Sequence, residues 1–131
     1  MNRANLTPCE ILTPEIVVQK QLDAYNARDI EAIMATYAED AHQFEHPAKL
    51  LARGTAELRE RFYSRFKEPN LHAKLIHRVV LGNKIIDQEL VTRTFAEGTG
   101  KIELVAVYEV KNERIANAWF IFGAKTLDVT S

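Results

Sequence analysis

Apolar residues near the start of the chain recur at intervals of three and four, the spacing that lines one face of an α-helix. Thr13 followed by Pro14 is typical of an N-cap residue and the first helical position, so a helix is predicted over residues 14–27. Its inward positions are Ile16, Val17, Lys20, Gln21, Ala24 and Tyr25. Because this stripe contains polar members, we expect the helix to border something other than pure core.

Two further helices are predicted before residue 70. Asp29 is suited to cap a helix over residues 30–38, which completes a helical hairpin, and a third helix is predicted over residues 54–66 with Thr55 as its N-cap. The inward residues of these two helices are Ile33, Met34, Tyr37, Leu58, Phe62 and Phe66. Each helix therefore has one apolar face that must be buried against another element.

A short strand is predicted between the second and third helices. It covers residues 42–46, and Pro47 closes it because proline has no N–H to donate to a neighbouring strand. Because side chains alternate along a strand, one face carries His42, Phe44 and His46 and the other carries Gln43 and Glu45. Both a histidine and a glutamate are able to act as a base.

The second half of the chain has the pattern of consecutive β-hairpins. Four strands are predicted, over residues 73–81, 84–96, 101–110 and 115–123, and they are separated by short turns rich in Gly, Asn and Glu. Helices followed by hairpins predict an α+β domain in which the helices pack on one face of a curved antiparallel sheet. We expect residues 1–131 to form this single domain, with residues 1–13 as a flexible N-terminal segment.

Composition and charge narrow the function classes. Lys and Arg total 17 and Asp and Glu total 18, with no long run of one sign, so neither nucleic acid nor an anionic membrane is an expected partner. No basic-then-apolar leader and no bilayer-length apolar stretch is present, so export and membrane insertion are not expected. The single cysteine, Cys9, cannot pair within the chain, which favours a cytoplasmic location.

Several short features occur in an order that resembles one known family. They are Asp-Ile-Glu-Ala-Ile at residues 29–33, Tyr-Ala-Glu-Asp-Ala at 37–41, the stop at Pro47, Gly54 before the third helix, and the closing hairpin. Over about residues 14–125 the chain resembles the nuclear transport factor 2-like superfamily, and within it the ketosteroid isomerases and SnoaL-like proteins. The resemblance implies a cystatin-like α+β roll, in which three helices lie on the concave face of a cone-shaped sheet. It also implies an apolar pocket for a small hydrophobic molecule and a homodimer formed through the outer sheet face.

The resemblance also suggests where a catalytic base would lie. The isomerases of this superfamily carry their base immediately before the proline, a position that His46 occupies here with Glu45 beside it, and either residue could point into the pocket. The two oxyanion-hole donors of those isomerases fall on Gln21 and near Ala106, neither of which reproduces an acidic donor. Steroid isomerisation is therefore not expected, because the loss of such donors slows the reaction by orders of magnitude.

A second polar group lies on the strand predicted over residues 84–96. Asp87, Glu89 and Arg93 share one face of this strand with Val91. If that face looks into the cone, Glu89 beside Arg93 and His46 would form an acid/base or ligand-binding cluster. Alternatively, these charges form pairs on the solvent or dimer face, where they contribute little.

The sequence therefore predicts that His46 and Glu89 approach each other across a cavity bordered by Phe44, Phe62 and Phe120. His46, Glu45 and Glu89 are the candidate catalytic residues. The candidate ligand-binding residues are Gln21, Tyr25, Tyr37, Phe44, Phe62, Val91, Arg93, Phe120 and Phe122. No metal site is predicted, because His42 and His46 would lie roughly 13 Å apart along a strand.

Three function classes are compatible with the sequence. The first is an enzyme that transfers a proton on a hydrophobic carbonyl compound, a reaction that needs no cofactor. The second is a binding protein that uses the same pocket without turnover. The third is an interaction module whose cone is filled by its own side chains.

Overall fold

Three helices cover one face of a six-stranded sheet in the computed structural model, which describes residues 11–128. The helices are α1 (Pro14–Ala27), α2 (Ile30–Met34) and α3 (Gly54–Arg65). The strands are β1 (Tyr37–Glu45), β2 (Lys49–Arg53), β3 (His72–Leu81), β4 (Lys84–Phe95), β5 (Gly98–Lys111) and β6 (Arg114–Leu127). The α+β architecture predicted from the sequence is confirmed. Most of the predicted N-terminal segment, with Cys9, lies outside the described residues.

The first two helices begin where their N-cap residues predict. The Thr13 hydroxyl accepts a hydrogen bond from the Ile16 amide at 3.2 Å, and the Asp29 carboxylate accepts one from the Ala32 amide at 3.0 Å. The second helix ends at Met34, four residues earlier than predicted. There the carbonyl of Thr36 accepts a hydrogen bond from the Ile115 amide, so the chain leaves the helix to join the sheet.

The third helix begins differently from its prediction. Gly54 directly follows β2 with a φ of 81°, a left-handed conformation that glycine adopts without strain. The N-cap position is Arg53, whose amide donates to the Glu57 carboxylate at 2.8 Å, while the Thr55 hydroxyl lies 3.4 Å from the Glu39 carbonyl. The strand β2, which was not predicted from the sequence, and the tight turn at Gly54 together bring α3 across the sheet.

The sheet has the strand order β2-β1-β6-β5-β4-β3. Its neighbouring strands are antiparallel, as predicted, except for β1 and β6, which are parallel. The exception arises because β6 returns beside β1 after α3 and two hairpins, and a strand joined by so long a connection is free to pair in either direction.

The main core lies between the helices and the concave face of the sheet. Its fully buried large side chains include Val17, Val18, Ile33, Tyr37, Leu58, Ile85 and Ile115. Five polar side chains among the described residues are buried: Thr36, whose hydroxyl donates to the Ile33 carbonyl, and Gln21, Gln43, Asp87 and Glu89. Since burial of a polar group is unfavourable unless it is compensated, these residues mark the part of the fold to search for a site. No helix within residues 11–128 is long and apolar enough to cross a membrane.

Candidate functional site

A cavity of about 50 Å³ lies inside the cone, between α1, α3 and the concave face of the sheet. By volume it has room for a few water-sized groups. Its lining residues are Gln21, Leu22, Tyr25, Gln43, Arg61, Phe62, Arg65, Ala73, Glu89, Val91, Leu104, Tyr108, Phe120 and Phe122. The wall is thus mainly apolar and aromatic, with a carboxyl group, two phenols, two amides and two guanidinium groups.

Glu89 reaches this cavity because of the regular alternation of β4. Its neighbours Ile85, Asp87 and Val91 are also buried on the same face, whereas Gln88 is exposed. Only 6% of Glu89 is exposed, and within residues 11–128 it makes no side-chain hydrogen bond or ion pair. Burial, followed by repulsion from Asp87, raises the pKa of Glu89 from 4.5 to about 7, against the attraction of Arg78. Near neutral pH this carboxyl group can therefore both accept and release a proton.

Asp87 lies two residues before Glu89 but has a different environment. Arg78 of β3 donates two hydrogen bonds to its carboxylate, from Nε to Oδ1 at 2.7 Å and from Nη2 to Oδ2 at 2.9 Å. The same guanidinium donates to the Gln19 amide oxygen at 2.9 Å, which ties β3 and β4 to α1. Asp87 is therefore held in a buried bidentate ion pair, whereas Glu89 has no such partner within residues 11–128.

Two tyrosines bring hydroxyl groups to the same cavity. Tyr108 of β5 lies on the concave face, is 2% exposed, and has no side-chain hydrogen bond to another described residue. Burial raises the pKa of the Tyr108 phenol well above its ordinary value, and burial also raises that of Tyr25 despite the nearby Arg65 cation. Both phenols therefore stay protonated, which makes them hydrogen-bond donors for an oxygen atom in the cavity.

A hydrogen-bond network holds the wall opposite β4. The Tyr37 hydroxyl accepts from the side-chain amides of Gln21 and Gln43, each at 3.3 Å. Gln43 in turn accepts from Nη1 of Arg61 at 2.8 Å. This network joins α1, β1 and α3, and it satisfies the two buried amides that the apolar interior would otherwise leave unpaired. Tyr37 therefore lies behind the cavity wall and positions residues that line it.

The mouth of the cavity lies between α3 and β6. The Arg61 guanidinium stacks over the Phe120 ring at 5.7 Å, and Phe122 lies beside it, partly exposed. Arg61 and Arg65 also line an open groove along the outer side of α3, which continues to Glu68. Arg61 and Arg65 thus line both the interior cavity and the groove.

Of the twelve residues singled out from the sequence, seven line this cavity. They are Gln21, Tyr25, Phe62, Glu89, Val91, Phe120 and Phe122. Their roles stay predictions, and Tyr37 supports the wall from behind. The four remaining residues, His46, Glu45, Phe44 and Arg93, do not line the cavity.

The expected approach of His46 to Glu89 is wrong. Alternation along β1 is as predicted, but the face that carries His42 and Phe44 is the outer one, where these rings stack at 5.8 Å and Phe44 stacks on Trp119 at 5.9 Å. Gln43 takes the inward position instead. The His46 amide donates to the Phe120 carbonyl, but its side chain is exposed at the strand end, and Glu45 is only half-buried at the rim.

Arg93 shares the expected strand face but lies beyond the cavity. The Glu68 carboxylate accepts from Nε of Arg93 at 3.0 Å and from Nη2 at 2.8 Å, and it also accepts from the Thr94 amide. Arg93 therefore lines the outer groove as part of an ion pair, and the predicted cluster of Arg93 with Glu89 is wrong.

Seven lining residues were not predicted from the sequence, and four of these are polar: Gln43, Arg61, Arg65 and Tyr108. A signal exists for the arginines, because Leu58, Arg61, Phe62, Arg65 and Phe66 follow the spacing of one helical face. Two arginines on an otherwise apolar helix face indicate that a group able to interact with their positive charge lies on that side. Among residues 11–128, no three His, Cys, Asp or Glu side chains gather as metal ligands would.

Comparisons with known proteins agree with this architecture. The family model of the SnoaL-like domain matches residues 18–118. No curated protein matches the sequence. A cystatin-fold protein from Novosphingobium aromaticivorans is similar in structure with a TM-score of 0.79 and 21% identity, over 85% of this chain and 99% of that chain.

Two other similar structures carry a functional description. A putative polyketide cyclase from Sinorhizobium meliloti has a TM-score of 0.66 at 20% identity, over 79% of this chain and 92% of that chain. AclR, a putative hydroxylase from Streptomyces galilaeus, has a TM-score of 0.71 at 13% identity, over 84% of this chain and 88% of that chain. At such identities the likeness shows a common fold.

Proposed function

This chain belongs to the family of SnoaL-like domains, and on that basis we propose that its cavity binds a small carbonyl compound on which Glu89 transfers a proton. One observation carries the proposal: Glu89 is a buried carboxyl group without a side-chain partner in the described residues, it faces a cavity, and its pKa is raised to about 7. A pKa near the working pH is the value that general acid–base catalysis requires.

The reaction we propose is enolisation. The Glu89 carboxylate takes a proton from the carbon beside the carbonyl group, the C–H electron pair forms the C–C double bond of the enolate, and negative charge moves to the oxygen. Tyr108 donates a hydrogen bond to that oxygen, which stabilises the charge as it develops. Glu89 then returns the proton to carbon. The cycle is balanced without any cofactor.

The size of the cavity restricts the substrate. A space of about 50 Å³ accepts the carbonyl end of a molecule, so the remainder would lie at the mouth between α3 and β6. One similar structure is described as a putative polyketide cyclase, which supports a carbonyl-containing substrate class for this cavity.

Deuterium exchange tests the proposed function without knowledge of the natural substrate. We expect the protein to accelerate incorporation of deuterium from D₂O beside the carbonyl of cyclopentanone or 2,4-pentanedione. The rate should rise with pH and level off above about 7, because the base must be ionised. The His46→Gln variant should retain the wild-type rate because His46 is exposed outside the cavity. Proton NMR follows the exchange and gives its rate at each pH for both proteins. Equal rates with and without protein would contradict catalysis.

A binding role without turnover is the second candidate, and the small cavity volume favours it. In that case, the ketones would perturb the NMR signals of cavity residues but would not exchange their protons faster than in buffer. The same samples therefore decide between the two candidates.

We also propose that the outer face of the sheet joins two copies of the chain. Apolar side chains are aligned across five strands in one row, which we call the outer stripe: Val79, Ile86, Val107, Trp119 and Phe44. Val79 is 43% exposed, and Ile121 beside the stripe is 41% exposed. A continuous apolar stripe of this kind supports a protein interface.

The Val107→Glu variant is expected to abolish this dimer. It places a charge at the centre of the outer stripe, where burial against a second copy would be unfavourable. Sedimentation equilibrium should show a dimer for the wild type and a monomer for the variant. Tyr63→Glu, which alters an exposed aromatic residue on α3, is the control and should stay dimeric. A monomeric wild type at high concentration would rule out the interface.

A further inference from the structure

Three arginines and one ion-paired carboxylate line the outer groove along α3, and two of these arginines also line the cavity. Arg93 is bound bidentately by Glu68, and Nε of Arg65 lies 3.5 Å from the same carboxylate. Arg61 is one helical turn from Arg65 and forms no ion pair within residues 11–128. The arginine cluster formed by Arg61, Arg65 and Arg93 therefore carries more positive charge than Glu68 balances.

Arg61 is the member of this cluster without a carboxylate partner in the described residues. Its guanidinium lines the interior cavity, stacks on Phe120, and donates its one side-chain hydrogen bond in the described residues to the neutral amide oxygen of Gln43. Burial, followed by repulsion from Arg65, lowers the pKa of Arg61. A half-buried cation with only a neutral acceptor is unfavourable, because its lost hydration is not compensated by a negative charge.

The nearby glutamates do not supply that charge. Glu57 and Glu60 line the outer groove but not the cavity, and both are exposed. Glu89 lines the cavity, but no side-chain hydrogen bond or ion pair joins it to Arg61. A ligand that fills the cavity would thus have a guanidinium at one side and a neutral or ionised carboxyl group at the other.

We propose that the ligand is a small oxo-carboxylic acid whose carboxylate binds Arg61 and Arg65 at the mouth while its carbonyl end lies beside Glu89. The carboxylate takes the place of the Gln43 amide as the acceptor for Arg61, which exchanges a neutral hydrogen bond for a stronger charge-assisted one. The guanidinium fork suits a carboxylate, which it can bind through two parallel hydrogen bonds. This inference rests on the proposed function, since it names the substrate class of the same cavity.

The test compares a carboxylate with its uncharged counterpart. The probes are 4-oxopentanoate and methyl 4-oxopentanoate, which share the ketone and differ in charge, and NMR titration gives both dissociation constants. The wild type should bind the carboxylate about tenfold more tightly, the effect of a charge-assisted hydrogen bond. The Arg61→Met variant should lose most of this preference. Arg59→Met is the matched control, because Arg59 is on the same helix but pairs with Glu31 outside the cavity.

Each outcome bears on the inference separately from the proposed function. Three results would overturn the proposed carboxylate site at Arg61 and Arg65. They are equal affinity of the wild type for the two probes, no binding of the carboxylate at tens of millimolar, and an equal loss of carboxylate preference in Arg61→Met and Arg59→Met. Arg61→Lys, which keeps the charge, should retain part of the preference and serves if Arg61→Met does not fold. The Glu89→Gln variant should keep the preference for the carboxylate even though proton exchange is lost. If the wild type prefers the carboxylate but does not accelerate deuterium exchange, the carboxylate site is retained and catalysis is rejected.

Discussion

Replacement of Glu89 by glutamine is expected to slow deuterium exchange into a bound ketone by about 10²–10⁴-fold, the usual contribution of a positioned base. The side chain keeps its shape but no longer accepts a proton. Because Glu89 is the buried carboxyl group of the cavity without an ion-pair partner in the described residues, we do not expect another residue to replace it.

The same variant should change how stability depends on pH. In the folded protein the pKa of Glu89 is about 7, above its ordinary 4.5, so between these values the native state binds more protons than the unfolded state. The stability that the folded state gains from protonation of Glu89 is therefore fully present below about pH 4.5 and is lost as pH rises through 7. Between about pH 5 and pH 8 the free energy of unfolding of the wild type should fall by roughly 2–3 kcal/mol, a fall that Glu89→Gln should not show.

Urea unfolding at several pH values measures this difference. The exposed carboxylate of Glu103 on β5 offers the matched control, since Glu103→Gln should follow the wild-type dependence. Parallel pH profiles for the wild type and Glu89→Gln would mean that Glu89 titrates alike in the folded and unfolded chain. That result would remove the physical basis of the proposed base.

The Asp87→Asn variant should destabilise the fold by about 3–5 kcal/mol. The substitution leaves Arg78, which is almost fully buried, without the carboxylate that receives two of its hydrogen bonds. It also removes the repulsion that Asp87 exerts on Glu89 while the attraction of Arg78 remains, so the pKa of Glu89 should fall below 7. The pH at which proton exchange levels off should fall with it.

An exposed ion pair provides the comparison for this variant. Glu31 and Arg59 lie 2.7 Å apart on the surface, so Glu31→Gln should change the free energy of unfolding little. Urea unfolding of both variants, together with the pH profile of exchange, gives the two readouts. An unchanged exchange profile in a folded Asp87→Asn protein would show that Asp87 does not influence Glu89.

Local patterns in the sequence predicted much of the fold. Thr13 and Asp29 marked the starts of two helices, and alternation placed Asp87, Glu89 and Val91 on one face of a strand. These features depend on neighbours in the chain, which a sequence displays directly. Alternation also separated Phe44 from Gln43 correctly, but it could not tell which of the two faces looks into the cone.

The structural features that were not predicted from the sequence depend on contacts between residues far apart in the chain. The parallel pairing of β1 with β6 joins segments far apart in the chain, and it turns Gln43 inward and leaves His46 at an exposed strand end. The inward position of Arg61 depends on α3 crossing the sheet beside Phe120. A residue's position before a proline carries no information about such contacts, which is why the family pattern pointed to His46 rather than to Glu89.

Both the proposed base and its pH dependence require that Glu89, a buried carboxyl group, titrates near neutral pH inside the cavity. A ¹³C NMR titration of the glutamate side-chain carboxyl signals, with Glu89 assigned by its loss in Glu89→Gln, measures this directly. We expect a midpoint of about 7 for Glu89. A midpoint near 4.5 would place the group in contact with water or a cation, and it would contradict both the proposed base and the pH dependence that follows from it.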